Sequence, residues 1–239
     1  MIETFTALLF AHALADFVLQ TNWINRNKAH AGVMLLHGAI VLAVSLLSVG
    51  HWFAGPVLAL AVSHLVIDCI KTYGKFRGFA AFAADQGAHL ATLAVVAALA
   101  PTLWSDGQWS GSPSLLPFMA VGAGLILTLR AGQYAVGLIM HPHTSRMRLR
   151  GLKEGGRQIG LLERGLIFLF VLGGQPVAVG FLIAAKSILR FGTATRDQAT
   201  AEYVIIGTLA SFGWAFLIAE ATRAMLSVLP PLEIAPVLA

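Results

Sequence analysis

Three histidine–aspartate pairs, each spaced by four residues, are the strongest chemical signal in the 239-residue sequence. The pairs are His12/Asp16, His64/Asp68 and Asp85/His89. Four residues make about one helical turn, so both members of a pair lie on one helix face. Chance placement of the His and Asp residues would give only about a third of one such pair. Because imidazoles and carboxylates bind zinc and other divalent transition metals, the pairs predict a metal site.

The segments that carry these pairs are apolar enough to lie in a membrane. Hydrophobic residues make up 57% of the chain and charged residues 11%, whereas a soluble domain carries roughly 25% charged residues. A membrane-spanning helix needs about 20 mostly apolar residues. Seven runs meet this requirement: Ile2–Leu19, Val33–Gly50, Trp52–Ile70, Phe79–Ala100, Leu115–Met140, Leu161–Ala185 and Ala201–Leu229. The sequence therefore predicts an all-α polytopic transmembrane bundle of about seven segments.

We expect one integrated membrane domain with two halves. Residues 1–100 form a His/Asp-rich half of four helices, and residues 101–239 form the C-terminal half with a basic cytoplasmic loop over residues 141–160. The sixth run is broken by Gly173-Gly174-Gln175-Pro176, and an interior proline removes a helical hydrogen bond. Basic residues lie at both ends of this run, so it is either a kinked span or a re-entrant hairpin.

Basic residues alternate between successive loops, and this pattern predicts the orientation. They follow the first, third and fifth runs: Arg26 and Lys28; Lys71, Lys75 and Arg77; Arg146, Arg148, Arg150, Lys153 and Arg157. The loops at 50–51 and 101–113 contain no Lys or Arg. Basic loops remain in the cytoplasm, which places the N-terminus outside. In this topology each paired Asp is nearer the cytoplasm and each His is one turn deeper, so the pairs form one layer.

The layer contains enough ligands for a metal centre, and zinc is the favoured ion. The predicted ligands are His12, Asp16, His37, His64, Asp68, Asp85 and His89. Seven ligands exceed what one tetrahedral ion needs, so two ions are compatible with the set. An open coordination position would lower the pKa of bound water to about 7. The carboxylates of Asp16, Asp68 and Asp85 are then the candidates for a catalytic role, with a spare one acting as base.

Each of these residues also has a simpler interpretation. A His and an Asp one turn apart can hydrogen-bond and neutralise each other within the bundle, without any metal. Asp68 could serve as a helix-end partner for Lys71 or Lys75. His37, considered alone, would more often be a core histidine with its hydrogen bonds satisfied.

Further residues are predicted to assist the metal layer. Gln20 and Gln86 would orient a ligand or a water molecule around the ion. Cationic side chains would hold an anionic headgroup near it: Lys71, Arg164, Lys186 and Arg190. For Lys186 the alternative is an ion pair with Glu163 or Glu202.

Several stretches resemble a known family. They are His12-Ala-Leu-Ala-Asp16-Phe-Val-Leu-Gln20, Lys28, His37, His64-Leu-Val-Ile-Asp68-Cys-Ile-Lys71 and Asp85-Gln86-Gly-Ala-His89. These motifs resemble the bacterial membrane family called domain of unknown function 3307, and stretches after residue 155 are similar to the C-terminal part of its longer members. The resemblance implies a multi-pass protein of the bacterial inner membrane and no particular reaction. The His/Asp-bearing helices are also loosely similar to bacterial membrane-bound metal-dependent hydrolases.

Two classes of function follow from these residues. The preferred one is a metal-dependent hydrolase that acts on a lipid or an amphipathic anionic substrate at the cytoplasmic leaflet. The alternative is a metal-ion transporter or a non-enzymatic metal-binding membrane subunit. Transporters keep their sites near the bilayer midplane, whereas this layer is off-centre and the outer helix halves carry few polar residues. The expected partners are membrane lipids and further copies of the chain, and only net positive charge would support nucleic-acid binding.

Overall fold

The computed structural model describes residues 1–144, 154–194 and 198–231, and the side chains of residues 143–144 and 189–194 lie outside this description. Every regular element in these ranges is helical. The helices are α1 Ile2–Leu14, α2 Asn22–Asn27, α3 Ala31–Val49, α4 Gly55–Tyr73, α5 Gly78–Leu99, α6 Leu115–Ile126, α7 Gly132–Thr144, α8 Gly155–Leu172, α9 Val177–Ala194 and α10 Gln198–Leu226. Two π-helical segments, Ala15–Leu19 and Leu127–Ala131, follow α1 and α6. Most of the predicted basic loop lies outside the described residues.

Six of the described segments are long and apolar enough to cross a membrane. They are Ile2–Leu19, Ala31–Val49, Gly55–Tyr73, Gly78–Leu99, Leu115–Pro142 and Gln198–Leu226. Their ends fall within a few residues of the ends of the predicted runs. The agreement is expected, because an apolar segment in lipid must form a helix in order to satisfy its backbone hydrogen bonds. The all-helical prediction is confirmed, with six candidate spans where the sequence suggested about seven.

The predicted sixth run consists of two helices in the structure. Helix α8 ends at Leu172 and α9 begins at Val177. Between them the N–H of Gln175 donates to the Phe170 carbonyl at 2.7 Å and Gly174 has a φ of 72°, which is a helix ending that favours glycine. Pro176 cannot donate a backbone hydrogen bond, so α8 cannot continue through it. A crossing and a re-entrant path both remain predictions for this segment.

The described chain divides into two compact units. The first contains Met1–Ile126 and the chain from Ala224 onward, and the second contains Leu127–Arg223. In the first unit α1 is central and packs against α3, α5 and α6, while α4 packs against both α3 and α5. Leu8, Val41, Leu60 and Leu93 from these helices are buried. This arrangement directs the His/Asp faces of α1, α4 and α5 towards one another.

One end of the first unit is closed by the loop after α5. The Thr4 hydroxyl donates to the Pro101 carbonyl at 3.0 Å and accepts from the Trp104 backbone N–H at 3.3 Å. Gly50 ends α3 with a φ of 74°, and the Gln108 N–H donates to its carbonyl at 2.9 Å. These bonds join the N-terminal end of α1 to the C-terminal ends of α3 and α5. They therefore fix the register of the helix faces that carry the His and Asp residues.

The other end of α1 changes its helical geometry where Asp16 occurs. Residues Ala15–Leu19 form a π-helical segment, and the Gln20 N–H donates to the Ala15 carbonyl at 2.8 Å, five residues back. Such π segments are rare and are frequent at functional sites, since the extra residue per turn re-directs a side chain. Thr21 then caps the short helix α2 through the Ile24 N–H. Lys28 follows α2 directly.

We predict that Gly50→Ala destabilises the first unit by about 1–2 kcal/mol, because an L-residue is strained at positive φ. The added Cβ would also lie 2.7 Å from the Trp109 ring. Thermal unfolding in detergent, followed by circular dichroism, measures the effect. Gly87→Ala on α5 is the matched control, since an added Cβ there meets nothing within 4 Å. Equal unfolding temperatures for the two variants would contradict the prediction.

Candidate metal centre

Four ligand atoms from the first unit converge on a small volume. His37 Nε2 lies 3.4 Å from Asp16 Oδ1 and 3.3 Å from Asp68 Oδ2. His64 Nε2 lies 3.3 Å from Asp16 Oδ1 and 3.4 Å from Asp68 Oδ2. The two Nε2 atoms are 3.1 Å apart. The π segment, α3 and α4 thus bring two imidazoles and two carboxylates into direct contact, and we call this set the ligand tetrad.

Five of the six edges of the tetrad are close to those of a coordination tetrahedron. Nitrogen and oxygen ligands lie about 2.0–2.1 Å from zinc, and at tetrahedral angles they are then about 3.3–3.4 Å from one another. Four of these edges are 3.3 or 3.4 Å and the fifth is 3.1 Å. The spacing of each imidazole from both carboxylates is therefore compatible with one divalent ion.

Hydrogen bonds alone do not satisfy the tetrad. Each Nε2 carries at most one proton, and that proton can point at only one of three neighbouring atoms. Asp16 Oδ1 and His37 Nδ1 are buried and have no hydrogen-bond partner among the described residues. A buried polar atom without a partner costs about 1–3 kcal/mol. A cation between the four atoms would satisfy Asp16 Oδ1 without requiring a proton on either imidazole.

The charges around the tetrad also leave one carboxylate without a basic partner. Lys28 Nζ lies 2.6 Å from Asp68 Oδ2, and Lys71 Nζ lies 2.6 Å from Asp85 Oδ2. Among the described residues, the ion pairs of Asp16 are with His12, His37 and His64 only. With neutral imidazoles, the buried charge of Asp16 is uncompensated, which is unfavourable in an apolar interior. Either an imidazolium or a bound cation must supply the missing charge.

A second group of polar side chains lies beside the tetrad and is oriented by Gln86. The Gln86 amide nitrogen donates to Asp85 Oδ2 at 3.2 Å, and its oxygen lies 3.1 Å from His12 Nε2. A carboxylate only accepts hydrogen bonds, so the amide orientation is fixed and His12 Nε2 must donate to Gln86. His12 Nδ1 then carries a lone pair and faces Asp16 Oδ2 at 3.8 Å. The lone pair of His12 Nδ1 and the carboxylate of Asp16 repel each other. A cation or a proton between these two atoms would remove the repulsion.

His89 completes this group. Its ring stacks on that of His64, with centroids 4.0 Å apart and an interplanar angle of 21°. A cavity of about 10 Å³ beside these rings is lined by Val41, Leu60 and Leu93 as well as by the histidines, and its exposed lining is apolar. This volume is close to the lower limit for one water molecule. The cavity is therefore too small for a substrate.

All seven predicted ligands lie in this cluster, in three overlapping groups whose atoms are within 4.8 Å of one another. The groups are His12, Asp16 and His64; His37, His64 and Asp68; Asp68, Asp85 and His89. Gln86 contacts the cluster as expected for an orienting residue. Gln20 instead accepts from Lys28 at 3.0 Å and reaches the cluster only through that lysine. Metal binding by these residues stays a prediction.

Lys28 contacts the cluster, although the sequence analysis assigned it no role in the metal layer. There its charge served only to predict which loops are cytoplasmic. The structure shows that this lysine is buried and pairs with Asp68. The partner of Asp68 is therefore a lysine that follows α2. It is not Lys71 or Lys75, which the sequence suggested because they lie close to Asp68 in the chain. The sequence offered one sign that Lys28 belongs to the site, since Lys28 is among the residues that carry the family resemblance.

The second unit contains the other predicted cationic residues. Arg164 is 2% exposed, and its guanidinium donates to the Thr128 carbonyl at 3.0 Å, the Leu129 carbonyl at 3.3 Å and Ser211 Oγ at 3.1 Å. The two carbonyls belong to the π segment Leu127–Ala131, whose altered bonding leaves acceptors available. Arg164 thus binds the backbone of its own unit.

The remaining predicted headgroup residues have different surroundings. Lys186 Nζ lies 2.7 Å from Glu163 Oε2, which is the ion pair considered as the simpler interpretation. The side chain of Arg190 lies outside the described residues. A role for Arg164, Lys186 or Arg190 in binding substrate stays a prediction.

Comparison with known proteins gives one match. Residues 4–110 match the family model described as protein of unknown function (DUF3307). That stretch contains all seven predicted ligands and Lys28, so the resemblance in the sequence is supported for residues 4–110. No curated protein and no solved structure matches the chain.

We predict that Arg164→Lys destabilises the second unit by about 2–4 kcal/mol. One ammonium group cannot reach the three acceptors that the guanidinium binds. Each hydrogen bond from a charged donor contributes about 1.5–3 kcal/mol. Thermal unfolding in detergent tests this. Arg157→Lys is the matched control, since the Arg157 side chain is 53% exposed and pairs with Glu154, the residue that precedes its helix. If Arg164 served only a substrate, its variant would unfold at the parent temperature.

Proposed function

We propose that this protein is a metal-dependent hydrolase of the bacterial inner membrane, which cleaves a lipid or an amphipathic anionic substrate at the cytoplasmic leaflet. A divalent ion, most readily zinc, binds to Asp16, His37, His64 and Asp68. The observation that carries the proposal is the spacing of the tetrad, five of whose six edges are 3.1–3.4 Å. Two imidazoles and two carboxylates without thiolate suit zinc, iron or manganese.

Hydrolysis needs a coordination position for water in addition to the protein ligands. A divalent ion held there would supply a Lewis acid that lowers the pKa of water bound to it to about 7. Four protein ligands would fill a tetrahedral zinc site, so a water molecule would need a fifth coordination position. Lys28 contacts Asp68 Oδ2 at 2.6 Å and would keep this carboxylate in place at the ion.

The surroundings of the cluster favour an anionic substrate. Lys71 holds Asp85 at 2.6 Å, yet its side chain is 35% exposed, so it connects the buried carboxylates with the surface. A cation at this position can exchange Asp85 for a phosphate or carboxylate of an arriving headgroup. Trp23 on the neighbouring helix α2 is exposed, as expected for an aromatic side chain at the membrane interface.

The side of the membrane follows from charge. Lys28 and Lys71 lie at the end of the first unit that carries the Asp residues, and basic ends remain in the cytoplasm. The N-terminus is then outside, and the substrate comes from the inner leaflet. Chemical labelling of single cysteines at either end would report this orientation.

A second candidate is a carrier or store for the metal ion itself. The specific observation is enclosure: His37 and His64 are almost completely buried, and four protein ligands suit holding an ion more than exposing it to a substrate. Ser45 and Ser48, both buried on α3, continue as polar groups away from the cluster, and Ser45 lines the cavity. Buried hydroxyl groups that follow one another along a helix from the cluster could line a path for an ion.

We predict that the purified protein retains about one zinc ion or more per chain after exhaustive dialysis, because the tetrad is preorganised for it. His64→Ala and Asp16→Asn each remove one ligand atom and should lose at least one of these ions. Elemental analysis by mass spectrometry measures the metal, and circular dichroism verifies folding.

His30→Ala is the control for these variants, since His30 is exposed and lies outside the cluster. It should retain the parent's metal. A folded parent that binds no more zinc than His64→Ala would refute the metal proposal.

We predict that deletion of the gene causes one class of anionic lipid to accumulate, and that the parent but not Asp16→Asn restores the normal lipid profile. Lipid mass spectrometry and cellular metal analysis on the same cultures separate the two candidates. Unchanged lipids with altered cellular metal would favour the carrier and contradict the hydrolase.

A further inference from the structure

A second metal position lies next to the tetrad. We propose that Asp85, His89 and Asp68 bind a second divalent ion, so that Asp68 bridges two ions in a binuclear centre. This position presupposes the first ion of the proposed function and adds a partner to it. One ligand atom from each of the three residues lies within 4.8 Å of the other two, and all three side chains are buried.

The state of His89 is the strongest support. Its residue surface is 1% exposed, and neither Nδ1 nor Nε2 has a hydrogen-bond partner among the described residues. A neutral imidazole has one donor and one acceptor, and buried polar groups are almost always paired. Stacking on His64 packs one face of the His89 ring but provides no hydrogen bond to either ring nitrogen. An ion on Nε2 would give this nitrogen the partner that the protein does not provide.

Asp85 is oriented for the same ion. Lys71 and Gln86 both bind its Oδ2, at 2.6 and 3.2 Å, so Oδ2 is occupied. Its Oδ1 is buried without a hydrogen-bond partner and lies 3.7 Å from His89 Nε2. This distance is too long for a hydrogen bond. It fits two ligand atoms of one ion, which can be up to about 4.1 Å apart when each bond is about 2.0–2.1 Å.

The stacking of His64 on His89 places the two positions side by side. His64 belongs to the tetrad and His89 to the second position, and their nearly parallel rings have centroids 4.0 Å apart. Two ions bound to Nε2 atoms on the same side of this stack would be a similar distance apart. Two-ion hydrolytic sites have their metals about 3.5–4 Å apart. A carboxylate has two oxygens, so Asp68 can bind both ions at once.

Charge permits a second ion but does not require it. Asp16, Asp68 and Asp85 carry three negative charges, and the ammonium groups of Lys28 and Lys71 supply two positive charges. One divalent ion already balances this set, and a hydroxide or an anionic substrate between two ions would offset the charge of the second. The support for the second ion is that one ion leaves His89 and Asp85 Oδ1 unsatisfied.

Metal titration of the purified full-length protein tests the second position. Apo-protein prepared with a chelator is titrated with Zn²⁺, and bound zinc is counted by elemental analysis. We expect about two equivalents for the parent and about one for His89→Ala and for Asp85→Asn, since each variant keeps the tetrad. His30→Ala should keep two. Asp85→Asn is nearly isosteric and serves where His89→Ala fails to fold.

A spectroscopic readout makes the test independent of counting. Mn²⁺ ions about 4 Å apart are magnetically coupled and give a broadened electron paramagnetic resonance spectrum, whereas an isolated Mn²⁺ gives six lines. We expect coupling in the parent and six lines in Asp85→Asn. A parent with one equivalent and an uncoupled spectrum would overturn the second ion and leave the proposed function intact. A parent that binds no ion would overturn both.

Discussion

Three carboxylates are buried among imidazoles in an apolar helical bundle, and the first unit is organised around the positive charge that they require. An ionised group in such a place is tolerated only with a close partner of opposite charge. Lys28 and Lys71 enter from the basic end and neutralise Asp68 and Asp85. Asp16 has only imidazoles beside it. The remaining positive charge has to come from a protonated imidazole or from a bound cation.

The fold delivers these groups with little freedom. Helix α1 packs centrally, so its polar face meets α3 and α5. The loop after α5 fixes the far ends of the helices through Thr4 and Gly50. At the near end the π segment turns Asp16 towards His37 and His64. A rigid scaffold of this kind holds the His and Asp side chains close together, and such preorganisation would increase the affinity for the proposed ion.

Binding of the proposed ion would be coupled to folding in this protein. Without a cation, the unpaired polar atoms of the cluster oppose the packing of α1, α3 and α4. With a cation, the same contacts would become bonds between the helices, so binding energy would contribute to folding. In the second unit Arg164 itself supplies a positive charge to the backbone of the π segment Leu127–Ala131.

The sequence alone determined the features that depend on near neighbours. Apolar runs predicted six of the helical segments, and four-residue spacing placed each His and its Asp on one face, because both signals repeat with the helical turn. The broken sixth run was visible from Pro176. Tertiary structure alone decided which atoms meet. Lys28 reaches Asp68 across forty residues, Gln86 selects the donor nitrogen of His12, and Arg164 binds carbonyls of another helix. Such contacts depend on how helices pack and rotate, and no local periodicity records this.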